Sequence, residues 1–272
     1  MINLRDDSII KERGDDVISC MGMDSRIGFS ISQITQLSFK TTFDVKKKRG
    51  FVPVNVSFFP KIWFMQALEI MKPVFAKKLA VSSLVAVADA GKKLGDIVVP
   101  EGKVGLATIC SIVINGVLLK CGIPIDSKFG GVLQMRRGEV LRFVELIHYD
   151  ASSLDPSEIF ISSNMTSVGQ VAERGDGKIL ANFRAIPALS LNLVENVIAD
   201  FAVAGINGVL SIGNIGEPVC QTNVDINKIG MILIGGLNPI ASVCEEGIEV
   251  DNKAMSTVML YEDLRNIEML KF

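Results

Sequence analysis

The chain is poor in the residues from which most catalytic and metal sites are built. It has a single histidine, His148, in 272 residues. Any mechanism or metal site that needs two is thereby excluded. Its five cysteines, Cys20, Cys110, Cys121, Cys220 and Cys244, form an odd set with no C-x-x-C spacing. That disfavours a disulfide framework and a zinc ribbon, and makes a reducing cytosol the simpler home. Neither sign of charge dominates: 28 basic against 30 acidic side chains leave a net charge of −2 and a pI near 5.6. This balance does not suit a chain held to nucleic acid by phosphate contacts, nor a peripheral membrane binder. Long apolar runs are missing too. Val104–Leu119 and Ile229–Cys244 lack charge over sixteen residues each, but both fall short of a span and are broken by Gly and Asn. The opening MINLRDDSIIKERGDD carries no signal peptide. The expectation is a soluble cytoplasmic protein, with no membrane partner.

Catalytic signatures are absent as well. There is no Walker A loop, no G-x-S-x-G elbow and no H-E-x-x-H. Cys110 with His148 makes only a weak nucleophile–base pair. Glu245 and Glu246 are adjacent, so on a helix they project about 100° apart and are poorly placed to act together.

What the chain does have is a core-forming composition, 49% hydrophobic and 21% charged, and a likeness between its two halves. Residues 50–60, GFVPVNVSFFP, align with 177–187, GKILANFRAIP, at a shift of 127, with Gly, Asn and Pro in register. Residues 103–135 align with 228–260 at a shift of 125, matching Lys103/Lys228, Gly105/Gly230, Gly122/Gly247, Asp126/Asp251 and Lys128/Lys253. Two ordered blocks with nearly equal shifts favour duplication.

Each half reads as the same series. A β-leaning run (Val52–Phe58; Ile179–Ile186) leads to a helix, kinked or ended by Pro73 in the first half and opened by Ser190 in the second. A second strand (Val81–Val87; Gly208–Ile212), a variable loop and a buried strand (Val104–Ile112; Ile229–Ile234) follow. A short helix and a last strand (Gly131–Met135; Thr257–Leu260) close the unit. The predicted fold class is α+β, two tandem ferredoxin-like β-α-β-β-α-β modules with antiparallel sheets. A doubly wound parallel sheet would need a helix between the second and third strands, for which neither half has room. The expected organisation is a tail over 1–25, a first module over 26–135 opening with an extra strand pair, a connecting segment over 136–176, and a second module over 177–264. In the connecting segment Glu139–His148 reads as a strand and Leu154-Asp155-Pro156 as a turn into a short element. Lys46–Arg49 reads as a solvated turn.

The candidate site residues lie where the third strand of each half meets its second helix. In the second half, Gly235 and Gly236 free the backbone, Asn238 suits an N-cap and Pro239 a first helical position. In the first half, Cys110, Ser111 and Asn115 interrupt an apolar run. Helix starts of this kind attract anions through free N–H groups and the positive end of the dipole. A capped helix with a structural cysteine is the plainer alternative.

These segments resemble the ligand-sensing domain of the NrpR family, archaeal repressors of nitrogen-assimilation genes. The likeness rests on RIGFSIS (26–32), TTFD (41–44), GLATICSIVINGVLLKCGIPIDSKFGG (105–131), SSLDPSEIFI (152–161), NMTSV (164–168), FRAIP (183–187) and GLNPIASVCEEGIEVDNKAMST (236–257). The resemblance implies a sensor of 2-oxoglutarate, with no other cofactor, whose DNA affinity falls when the ligand binds. It also implies a winged helix-turn-helix, for which the 25 residues before Arg26 are too few. A fragment, a truncated gene and a co-repressor beside a DNA-binding partner all stay open, as does a partner in the transcription machinery. In FRAIP, Ala185 stands where an acid is expected, which removes a local ion pair.

A 2-oxoglutarate dianion needs a cation or helix start for each carboxylate. Arg184 is the favoured cation, because its guanidinium can grip a carboxylate with two parallel bonds and sits in an otherwise apolar strand. Lys128 is the second, although its repeat partner Lys253 suggests a turn cap. Cys110 is expected to line the pocket without attacking anything. An enzyme of nitrogen or amino-acid metabolism and a purely structural module are the alternatives. One bare face per sheet is expected to be covered by another sheet, within the chain or across a homodimer. The isolated chain is expected not to bind duplex DNA specifically.

Overall fold

The structure is a computed structural model that describes residues 29–270. The 1–25 tail and Cys20 lie outside the described residues.

The first element, α1 (Phe29–Lys40), is a helix where the sequence suggests a strand pair. Its β-branched residues invite the strand reading. The buried set Ser30, Ile34, Leu37 and Ser38 has helical spacing, and contact with the rest of the chain decides the matter. The first half then runs β1 (Phe51–Pro60), α2 (Phe64–Ala76), β2 (Leu84–Asp89), a small hairpin of β3 (Lys93–Leu94) and β4 (Ile97–Val98), β5 (Lys103–Ile109), α3 (Ile112–Lys120) and β6 (Asp126–Arg136). The link holds β7 (Glu139–His148), α4 (Pro156–Ser162) and α5 (Val168–Arg174). The second half follows with β8 (Gly177–Pro187), α6 (Leu191–Val203), β9 (Val209–Ile215), β10 (Lys228–Ile234), α7 (Asn238–Glu245), β11 (Asp251–Leu260) and a terminal β12 (Arg265–Asn266).

Both halves thus follow the predicted β-α-β-β-α-β order. Pro73 does not stop α2, which continues through its last turn to Ala76. Ser190 precedes α6, but its hydroxyl donates to the Pro187 carbonyl and leaves the helix amides alone.

The sheets are antiparallel and five-stranded, ordered β11-β1-β5-β2-β12 and β7-β6-β8-β10-β9. Strand order around the centre is the same in both, yet the last strands are exchanged. β6, the end of the first half, pairs with β8 of the second (Gly131 opposite Ala181). β11, the end of the second half, pairs with β1 of the first (Val54 opposite Thr257). Helix packing follows the same exchange, since α2 of the first half lies on α7 of the second. The two modules are therefore interlocked, and one continuous core runs through both.

The central strands β1, β5, β8 and β10 are buried on both faces along nearly their whole length. The loop between second and third strands helps to cover the outer face of each sheet. In the first half Leu94 and Val99 lie against Gly105, where an added Cβ would come within 2.8 Å of each. In the second half Val219 and Val224 lie against Gly230, each 2.9 Å from such a Cβ. The duplicated glycine is the space that the loop fills.

Candidate ligand-binding site

The exchange brings the two equivalent β–helix junctions to one place. Cys110, Ser111 and Ile112 from the β5–α3 junction face Gly236 and Leu237 from the β10–α7 junction across a small buried cleft. By the duplication shift of 125, Ser111 corresponds to Gly236 and Ile112 to Leu237. Asn55 of β1 and Asn182 of β8, related by the shift of 127, line the same cleft. The cleft therefore lies on the pseudo-two-fold of the duplication.

The amides of Ile112 and Leu237, at the two helix starts, donate to no backbone acceptor among the described residues, and the Ile112 N–H is turned toward the Cys110 sulfur. Two helix N-termini thus present N–H groups and positive dipole ends to one enclosed space. Neither helix is capped by its own predicted side chain. Ser111 precedes α3, but its Oγ accepts from Asn182 Nδ2 at 3.1 Å. Asn238 is the first residue of α7, and its side chain clamps the Leu180 peptide, accepting from Leu180 N at 2.8 Å and donating to its carbonyl at 3.1 Å. Gly235 packs on the same peptide, so both are spent on holding α7 to β8.

Arg184 is the charge of the site. It is 1% exposed, among the largest fully buried side chains. Its Nε reaches Asn115 Oδ1 at a long 3.4 Å, its Nη1 donates to the Phe183 carbonyl at 3.2 Å, and its guanidinium lies 4.9 Å from the Tyr149 ring centroid. Asn115 is held in turn by donating to Ser127 Oγ at 2.9 Å. No carboxylate among the described residues comes within 4 Å of Arg184. A buried guanidinium without a contacting anion is costly, and an anion placed against it would offset that cost.

Three further groups were not legible as site residues. Tyr149, 2% exposed, donates its hydroxyl to Asn182 Oδ1, and burial pushes its phenol up to about 12. Asp155, the N-cap of α4, accepts from Ser157 N at 2.8 Å and lines the cleft with its carboxyl raised, chiefly by burial. Ile34 of α1 closes the cleft from outside, in a small apolar cluster with Leu37, Cys110, Ile112, Tyr149 and Met255. The Leu-Asp-Pro turn signals Asp155's helix cap, but nothing local shows that it faces Arg184.

Of the sequence candidates, Cys110, Ser111, Arg184 and Gly236 line the cleft, and Asn115 supports Arg184. Lys128 is elsewhere. It sits in a surface network with Asp126 at 2.7 Å, beside Lys228 and Asp225. Burial raises Asp126, but hydrogen bonds from Lys128 and Lys228 outweigh it and hold the carboxyl below its usual value. Burial pushes the Cys110 thiol up to about 12, so it stays neutral and is a wall of the cleft. His148 lies in another pocket against the Phe129 ring, so no Cys–His pair is assembled. Glu245 caps α5 from outside, accepting from Val168 N, Gly169 N and Thr166 Oγ1. Among the described residues no cluster of His, Cys, Asp and Glu could hold a metal, and no helix is long and apolar enough to cross a membrane.

Residues 27–266 match the family described as NrpR regulatory domains NRD1 and 2. The chain belongs to the NrpR family. It is 34% identical over 242 residues to the global nitrogen regulator NrpRI of Methanosarcina mazei, covering 89% of this chain and 74% of that one. To the global nitrogen regulator NrpR of Methanocaldococcus jannaschii it is 28% identical over 241 residues, covering 89% of this chain and 40% of the relative. The NrpR of Methanococcus maripaludis is 30% identical, with 38% of its length covered. The chain thus spans about two fifths of these two NrpR relatives. A crystal structure of a nitrogen repressor-like protein from Methanococcus jannaschii superposes with a TM-score of 0.75 at 27% identity, over 88% of this chain and 98% of that one. The relatives are named as regulators, so the chain is a regulatory domain of the nitrogen-repressor type.

Proposed function

We propose that the Arg184 cleft binds 2-oxoglutarate and that the chain is the effector-sensing unit of a repressor of nitrogen assimilation. The carrying observation is Arg184: a fully buried guanidinium with no carboxylate in contact among the described residues, facing two helix starts. One ligand carboxylate lies on Arg184. The Ile112 and Leu237 amides take the other, while Ser111 and Asn182 are hydroxyl and amide donors within reach of a keto oxygen. The cleft holds about 20 Å³, room for a water and not for a five-carbon dianion. Admission therefore requires opening, and α1 is the element to move. It is tied at its first turn by Ser30, whose N–H and hydroxyl donate to the Ser152 and Leu154 carbonyls. Displacement of α1 gives ligand binding a route to the DNA reader, which in this reading is a helix-turn-helix domain or partner outside the described residues. Self-association as a homodimer belongs to the same reading. Ile62, Trp63 and Met65 at one β–α corner and Leu189 and Leu193 at its repeat equivalent are exposed apolar side chains, and light scattering at micromolar concentration tests it.

Titration calorimetry with 2-oxoglutarate, glutamate and succinate tests the ligand. The expected result is saturable binding, tightest for 2-oxoglutarate, with no turnover. Absence of binding by all three would overturn the assignment.

A further inference from the structure

The cleft holds a second buried charge-bearing group whose role the binding reading leaves open. Asp155 lies opposite Arg184, yet the two make no contact within 4 Å. Resting on the reading that this cleft takes a dicarboxylate, we propose that Asp155 takes up one proton from solvent when the ligand binds and then donates a hydrogen bond to it. Asp155 thereby makes binding proton-coupled.

The charge on Asp155 depends on the groups that face its carboxyl. From β8 there is Arg184, from the turn after β7 Tyr149, from the β5–α3 junction Cys110, and from its own helix Glu158. α1 presents Ile34 and β11 presents Ala254 and Met255, none of which titrates. Arg184 is thus the one full positive charge among the described residues of the cleft. With Asp155 ionised, the empty cleft is near neutral. Adding a dianion leaves an excess of two negative charges in an enclosed, poorly solvated space, where like charges within a few ångströms raise each other's proton affinity steeply. Protonating Asp155 removes one of them. It also converts an acceptor that would repel the ligand into a donor that can hold it, because a neutral carboxyl has one O–H to give. Asp155 is predisposed to this, since burial already raises its proton affinity above that of an ordinary aspartate. The Ser157 amide and hydroxyl and the Glu158 amide all donate to this carboxyl and favour its ionised form in the free protein, and after protonation the oxygen that accepts from the Ser157 amide can still cap the helix. Cys110 and Tyr149, both pushed up to about 12, stay neutral and do not compete for the role.

Linkage fixes the sign. Where Asp155 is ionised in the free protein and protonated in the complex, Kd for 2-oxoglutarate rises up to about tenfold per pH unit. The experiment is calorimetry with 2-oxoglutarate from about pH 6 to about pH 9, in pairs of buffers with different protonation heats. Wild type is expected to take up close to one proton per ligand on the alkaline side and to lose affinity as pH rises. Asp155→Asn keeps the capping oxygen and supplies a neutral donor. It is expected to bind at least as tightly, with a pH-independent Kd and no buffer-dependent heat, while Glu158→Gln keeps the wild-type slope. A flat wild-type Kd without proton exchange, an unchanged slope in Asp155→Asn, or a flattened slope in Glu158→Gln overturns the inference alone. Failure of wild type to bind at any pH overturns the functional reading and this inference together.

Discussion

The two halves bring the same backbone to the cleft and different side chains. Asn55 and Asn182 stand at equivalent points of β1 and β8, but two residues on, the first half has Ser57 where the second has Arg184. The supporting residues diverge in step: Asn115 on α3 holds the guanidinium, and its equivalent on α7 is Ile240. Ser111 Oγ accepts from Asn182 Nδ2, whereas at Gly236 an added Cβ would come within 2.5 Å of Asn55 Nδ2. The first-half counterpart of the arginine is left with a cost, since Ser57 Oγ is buried without a hydrogen-bond partner. Duplication supplies two helix starts at the price of symmetry, and a ligand with two unlike ends needs the symmetry broken. In the reading proposed above, the charged and the neutral half-site would face the two unlike ends of the ligand.

The two halves differ most at Arg184. Arg184→Ser makes the halves alike there and is expected to weaken 2-oxoglutarate by about 100-fold or more, read by calorimetry, while the chain stays folded by circular dichroism. Folded protein with unchanged affinity would remove the site. Next comes Gly116, which lies under Thr41 at the end of α1 and whose repeat equivalent is Ala241. A Cβ at Gly116 would meet the Thr41 side chain at 2.3 Å, so Gly116→Ala is expected to destabilise by roughly 1–3 kcal/mol in urea unfolding despite its better helix propensity. A neutral outcome would show that α1 is not seated as described.

Two further substitutions have smaller effects. Ser111→Gly copies Gly236, orphans the Asn182 amide and should cost about 1 kcal/mol of stability with a several-fold loss of ligand affinity. At the small end is Ser57→Ala, which removes an unsatisfied buried hydroxyl. It should be neutral or stabilising by up to about 1 kcal/mol, and a clear loss of stability would mean that the hydroxyl has a partner.

The surface network around Asp126 gives a weaker signal. Its carboxyl is held below the usual value, so its contribution is complete above the unfolded aspartate range and lost as pH falls through the folded one. Asp126 and both lysines are partly exposed, so added salt should erase much of the effect of Asp126→Asn on unfolding midpoints.

The duplication was readable because glycine, asparagine and proline at fixed offsets answer to local backbone needs. Gly105 and Gly230 leave room for a returning loop, and Pro60 and Pro187 end equivalent strands. Element order followed from hydrophobic period, which also fixed the antiparallel ferredoxin-like pattern. Arg184 stood out as a charge in an apolar strand, and Ser111 and Gly236 as small or polar residues at helix starts. The sequence misled where side chains take distant partners. Asn238 has the residue type of a cap but binds the Leu180 peptide, Ser111 serves Asn182, and Lys128 joins a surface network.

The β-α-β-β-α-β order of each half, the two helix starts, the odd arginine and the family are all written in local residue pattern. Long-range packing alone makes β6 and β11 trade places, makes α1 a helix, and closes Tyr149, Asp155 and Ile34 around Arg184. The reason is degeneracy. Two repeats with the same apolar alternation offer β6 two acceptable neighbours, β1 or β8, and local pattern cannot rank them. The choice is made by the whole packed core, and with it the meeting of two half-sites in one cleft.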